Sequence, residues 1–224
     1  MATWDSADLL QRVKDKLLRP STDALFDNDR IYRELTEAEA HWKPVIAAHY
    51  PNDMFSAPAA MTDNGDGTYS FPASETDPLA LMILRSTTGM PMLPGAYFDR
   101  EADYVLEEGG IRLTAGREQQ SFPDGVPYVR VVSSAGTIDA STDSGIKPAR
   151  VRILLVYSAA GAIVRSGMGL GDPSFFEEKV DELAWGVPGT GDVGMVGALK
   201  LRDRSGRAAW IGRDEVLPYW RPEG

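Results

Sequence analysis

The chain contains no cysteine. Without a thiol there is no disulfide framework and no thiolate metal site. Histidine is nearly as scarce: His41 and His49 are the two among 224 residues. Both fall on one helix-like segment, eight residues apart, two turns along similar faces and too distant to share a metal without a third ligand. Neither sits in a G-x-S-x-G elbow or an H-E-x-x-H motif, so both read as core or interface histidines. Long apolar runs are also missing. The most apolar helix is uncharged only from Ile153 to Val164, well short of the roughly 20 residues a membrane-spanning helix needs. Met1 to Leu10 shows no basic stretch followed by an apolar core, so no signal peptide is expected. The chain reads as a soluble protein that folds in the cytoplasm. Positive charge is in deficit: 23 Lys and Arg against 33 Asp and Glu give a net charge of −10. That balance disfavours sequence-specific DNA binding, which needs a basic footprint, and suits a surface that repels DNA.

What is present suits a folded chain. Hydrophobic residues make up 43% and charged residues 25%, enough for one generous domain or a core with a smaller lobe. The first helix is expected from Ser6 to Leu18 behind an Asp5 or Ser6 cap, with Leu9, Leu10, Val13, Leu17 and Leu18 on one stripe. A second runs from Asn28, with Ile31, Leu35, Ala38, Trp42, Val45, Ile46 and His49 facing one way, a kink at Pro44 and a stop at Pro51. Residues 52–148 change character and carry 14 acids against 6 bases. Short strands are read at Gly67–Phe71, at Tyr128–Val132 near an edge behind Pro127, and in a hairpin of Tyr104–Leu106 with Ile111–Thr114. Leu79–Leu84 is an apolar run of uncertain type. From Pro148 to Ser166 the chain is apolar almost all round, as in a helix buried within a bundle or between subunits, or over Val151–Tyr157 a buried strand. Gly167 caps it. Asp172-Pro173 opens another helix that Gly186 closes. In the remainder a hairpin is expected from Gly197–Arg202 and Ala208–Ile211. The organisation is α+β: a helical core from 1–51 and 148–186, an inserted antiparallel β lobe over 52–147, and a Gly-rich C-terminal arm over 187–224.

No catalytic set emerges. Gly189-Thr-Gly-Asp-Val-Gly194 matches G-x-G-x-x-G, but a helix end and Pro188 precede it where a strand is required, so it reads as a linker. Gly167-Met-Gly-Leu-Gly171 reads as a cap and inter-helix turn. Asp63-Asn-Gly-Asp-Gly-Thr68 faintly resembles a calcium loop, yet glycines occupy two positions that need oxygen ligands, and a turn is expected. Asp99, Glu101, Asp103, Glu107 and Glu108 read as a solvated acidic face rather than a glycosidase-like pair. Trp210, Tyr219 and Trp220, interleaved with Arg207, Arg213 and Arg221, suit protein–protein anchoring better than base stacking. No cofactor, metal or enzymatic activity is expected.

The pattern of Asp8-Leu-Leu-Gln-Arg-Val-Lys14, the helix Ile31 to Tyr50, and Pro148-Ala-Arg-Val-Arg-Ile-Leu-Leu-Val-Tyr157 followed by Gly171-Asp-Pro-Ser174 resembles the head-to-tail connector adaptors of tailed bacteriophages. The likeness covers roughly residues 4–51 and 148–186. It implies a structural virion protein of the neck, assembled in the host cytoplasm. Its copies would form a homo-oligomeric ring, typically a dodecamer, between the portal protein and a stopper or tail-completion protein, and genomic DNA would pass without sequence-specific binding or a membrane. The arm residues Trp210, Ile211, Arg213, Leu217, Tyr219, Trp220 and Arg221 are then the expected subunit or portal interface. A tail-tube or minor capsid protein is the alternative in that class. A carbohydrate- or calcium-binding β module is the alternative outside it.

Overall fold

The computed structural model describes residues 4–17, 27–50, 54–72, 78–87, 91–92, 104–114, 122–147, 149–167 and 171–205. They fold as α+β in two compact units, one helical within 1–54 and 134–205, the other stranded within 55–133.

In the helical unit, α1 (Ser6–Lys16) starts where the Asp5 carboxylate accepts the Asp8 N–H at 2.8 Å and ends with Lys14 and Lys16 in its last turn, a charge order that suits the helix dipole. α2 (Asn28–His49) is capped by Asp27 and runs through Pro44, whose missing N–H deprives the Ala40 carbonyl of its helical donor. A 3₁₀ turn (Ala149–Arg152) leads into α3 (Ile153–Arg165), and Gly167, at φ 77°, closes that helix by donating its N–H to the Val164 carbonyl at 2.9 Å. The strand alternative for Val151–Tyr157 is therefore set aside. α3 packs against α1, α2 and α4 (Pro173–Trp185). Its apolar circumference is thus largely covered within the chain, with Leu154, Leu155, Val156 and Ile163 fully buried. Each such side chain stabilises the unit by roughly 1.5–3 kcal/mol. Asp172 caps α4 and Gly186, at φ 84°, ends it.

The C-terminal hairpin is overturned where its first strand was expected. Residues Gly194–Ser205 form α5, which packs on α4 and α2. Gly197–Arg202 fits both periods on paper, but Val196 and Leu199, three apart, are fully buried, and tertiary burial overrides the two helix-weakening glycines. Ala208–Ile211 lie outside the described residues.

The insertion is also shorter than 52–147. Residues 134–147 belong to the helical unit because polar side chains, most of them buried, staple them there. Thr36 Oγ1 accepts the Ile138 N–H at 2.9 Å, Glu39 Oε1 accepts the Gly145 N–H at 3.1 Å, and Lys43 Nζ donates to the Ser134 carbonyl at 3.0 Å. Arg152 donates to the carbonyls of Ile146, Ser144 and Trp4. Burial pulls the Arg152 pKa down, while the charges of Asp143, Glu39 and Asp5 push it up. Ile138 and Ile146 are fully buried beneath these contacts.

Among the described residues the β unit holds two antiparallel four-stranded sheets. One is ordered β1 (Ala59–Ala60), β8 (Tyr128–Ser133), β4 (Pro78–Leu84), β5 (Pro91–Met92); the other β2 (Thr62–Asp63), β3 (Thr68–Ser70), β7 (Gly110–Leu113), β6 (Tyr104–Glu107). Ile83, Val129 and Val131 from the first share one core with Tyr69, Tyr104 and Ile111 from the second. The run at Leu79–Leu84 is therefore a strand. β8 is an inner strand and not an edge: Pro127 precedes its first residue, so no ladder N–H is lost, and its carbonyl accepts from Met61 at 3.0 Å. In the β6–β7 hairpin Gly109 turns at φ 72°. Gly110 lies so close to β3 that a Cβ there would sit 2.2 Å from the Tyr69 carbonyl oxygen.

Candidate functional site

On the helical unit α2, α3 and α4 enclose a groove of about 630 Å³. Its floor is Trp42, Gly161, Ala162 and Phe176, with Val45, Val180 and Trp185 as walls. Gly161 is the reason α4 approaches α3 so closely, since a Cβ at 161 would stand 3.0 Å from Phe176 Cβ. Trp42 is fixed in orientation because its indole N–H donates to Ser158 Oγ at 2.9 Å. Around it the aromatic rings meet edge-on: His41 on Trp42 at 5.1 Å and His49 on Trp185 at 5.7 Å between centroids. Such pairs hold ring planes in fixed directions. The rim is charged, with an Arg165–Glu177 ion pair and Asp181 one turn further along α4. Beside the groove the chain exposes large apolar groups. Phe175 is 57% exposed and Trp185 46%, with Val187 and Val193 in the turn beyond.

This arrangement suits binding. The serine hydroxyl in the groove is an acceptor for an indole, and of its two carboxylates Glu177 is spent on Arg165. An apolar floor with a few fixed polar groups is what a recognition pocket needs.

A second hollow, about 560 Å³, lies between α2 and residues 137–141. Its Asp139 carboxylate is committed to the local turn, accepting from the Ser141 N–H and hydroxyl at 2.7 Å and from the Thr142 N–H at 2.8 Å. Those bonds, led by the Ser141 hydroxyl, hold its pKa below the usual carboxylate value.

The structure separates the remaining candidates. His41 and His49 each meet a tryptophan of the helical unit edge-on. Asp63–Thr68 is the β2–β3 turn: Asp63 accepts the Gly65 N–H at 2.8 Å, Asp66 accepts the Thr68 N–H at 3.0 Å, and Gly65 and Gly67 take φ near 80°. Gly189–Gly194 joins α4 to α5, and Asp192 accepts the Gly194 N–H at 3.0 Å. A carboxylate thus occupies the helix end where a pyrophosphate would sit. Glu107 pairs with Arg112 at 2.5 Å and Glu108 lies in the hairpin turn. Asp99, Glu101 and Asp103 lie outside the described residues, as do Trp210, Ile211, Arg213, Leu217, Tyr219, Trp220 and Arg221. Among the described residues no three His, Cys, Asp or Glu side chains gather as a metal site, and no helix is long and apolar enough to cross a membrane.

Sequence reasoning missed the groove, whose three walls come from residues 41–45, 157–165 and 176–185. The available signal was Gly161, a glycine inside an otherwise strongly helix-forming apolar run. It missed the buried Glu39–Lys43 pair as well, because i,i+4 opposite charges ordinarily mark a solvated helix face. No protein-family model matches this sequence, and no curated protein matches it.

Proposed function

We propose that this chain is a structural ring component of a virion neck, a head-to-tail connector adaptor that docks on a portal and leaves a channel for DNA during ejection. Its role on this reading is assembly rather than catalysis. The observation that carries it is that α1 and α2, before the inserted β unit, pack on α3 after it, with α4 packed on α3 in turn. Those segments are the ones whose residue patterns resemble the adaptor family. Two further features support the reading. The helical unit leaves Phe175, Trp185, Val187 and Val193 exposed beside an apolar groove, the kind of surface that a second protein covers. The charge of −10, repeated around a ring, repels phosphate and lets DNA pass without adhering.

α3 does not need a neighbouring subunit to bury it, since α1, α2 and α4 cover most of it in the same chain. On this reading the subunit interface uses the exposed α4 surface and the residues after α5. Cryo-electron microscopy of the chain mixed with portal-bearing, tailless heads tests the proposal. A symmetric ring of added density beneath the portal is expected. Heads without added density at saturating protein, with folded chain left in solution, refute it and turn attention to ligand screening of the β unit.

A further inference from the structure

An apolar groove floored by Trp42, Phe176, Gly161 and Ala162 and rimmed by carboxylates is shaped for a flat aromatic side chain with a cation beside it. Glu177 is already paired with Arg165, whereas Asp181 makes no ion pair among the described residues. The chain itself carries a segment of the complementary chemistry. Residues 206–224 place Trp210 near Arg213, and set Tyr219, Trp220 and Arg221 side by side. That segment follows directly on α5, which packs against α4 and α2, two of the three helices that line the groove.

We propose that the groove of one copy receives the Tyr219-Trp220-Arg221 end of the C-terminal segment of a neighbouring copy. Trp220 lays its indole against Trp42 and Phe176, and the Arg221 guanidinium meets Asp181 at the rim. The inference rests on the ring reading above, which supplies the neighbour. Reach is sufficient: the fourteen residues from Gly206 to Tyr219 span up to about 45 Å when extended. That is more than twice the roughly 20 Å length of a thirteen-residue helix such as α4. The match in charge is local, one unpaired carboxylate to one arginine, and it sets register more than affinity. Affinity comes from burying the indole, the residue type that most often dominates an interface.

The absence of native cysteine makes disulfide trapping specific. Full-length chain carrying Val180→Cys is mixed with a differently tagged full-length chain carrying Tyr219→Cys on portal-bearing heads, under mild oxidation. The covalent mixed pair should exceed that from Glu178→Cys, an α4 position outside the groove, by at least about tenfold, because the bond demands Cβ atoms within roughly 4.5 Å. A complete ring whose mixed pair forms no better than the control overturns the groove assignment and leaves the ring reading standing. Failure of any ring to form overturns both. A charge exchange gives a second readout. Asp181→Arg should lower the number of copies bound per head about fivefold at limiting protein, the weight of a well-placed exposed ion pair, and Arg221→Glu in the same chain should restore it. Equal loss in the single and the exchanged chain refutes the pairing.

Discussion

Glu39→Ala strips a carboxylate from a buried cluster and leaves its partners in place. Glu39 is 1% exposed and Lys43 7%, with 3.7 Å between carboxylate oxygen and ammonium nitrogen. After the substitution Lys43 keeps one bond, to the Ser134 carbonyl, and the Gly145 N–H loses its acceptor. Breaking a buried pair from one side costs about 3–5 kcal/mol, and an orphaned buried donor about 1–3 kcal/mol. The two losses share a cluster and do not add, so a total near 4 kcal/mol is expected. With a urea slope of about 2 kcal/mol/M the unfolding midpoint falls by roughly 2 M. Tryptophan fluorescence reads the right part of the molecule: residues 55–133 contain no tryptophan, and Trp42 lies one turn from Glu39. The double replacement Glu39→Leu with Lys43→Met removes both charges together and should cost under about 2 kcal/mol. A single substitution costing less than about 1 kcal/mol, or a double equal to the sum of its singles, would refute the argument.

Leu154→Ala, at a fully buried position on α3, should cost about 2–5 kcal/mol in the same denaturant titration. Val105→Ala in the β unit, where the side chain is 46% exposed, should stay within about 0.5 kcal/mol. Gly110→Ala drives a methyl into the Tyr69 carbonyl oxygen; a loss of about 1–3 kcal/mol is expected, read as faster amide exchange at Tyr69 and Ile111 while α2 and α3 stay protected. Acid should weaken the α4 cap. Hydrogen bonds from Ser174, hydroxyl first and backbone second, depress the Asp172 pKa. A depressed carboxylate contributes fully above its unfolded value, near 3.9, and loses that contribution as pH falls through the folded one. Asp172→Asn keeps a capping oxygen, so its stability difference from the parent should shrink to nothing below that range.

Much of the helical unit was legible because capping residues announce themselves. Asp5, Asp172, Gly167 and Gly186 stand where the structure uses them, each answering a local need for an acceptor or a left-handed turn. α5 was not legible, since Gly-Ala-Leu-Lys-Leu-Arg alternates like a strand until α4 is present to cover Val196 and Leu199. Residues 134–147 read as part of the lobe because they are polar and turn-rich, and their attachment depends on Glu39, Lys43 and Arg152 being buried by the same loop they hold. β8 reads as an edge from sequence because a proline beside a strand ordinarily marks one, whereas Pro127 stands just outside the ladder. The groove needed three segments brought together, and no local pattern encodes that.

The ends of the β unit meet each other. Ser56 donates its N–H to the Val131 carbonyl at 2.8 Å and accepts the Val131 N–H on its hydroxyl at 3.1 Å, across 75 positions of chain, and Arg130 donates to the Ser56 carbonyl at 2.8 Å. The helical unit, by contrast, must join partners such as Trp42 and Ser158, separated by 116 positions. If the strands pair first, the intervening chain is already tied off and its host need close a loop of roughly 40 residues, sparing about 1 kcal/mol of closure entropy on a (3/2)RT ln n estimate. The order of synthesis favours that sequence of events, because residues 55–133 leave the ribosome before α3 exists. The insertion is thus a temporal device as well as a spatial one: a fold that finishes early and hands its two ends, already adjacent, to the helices that follow.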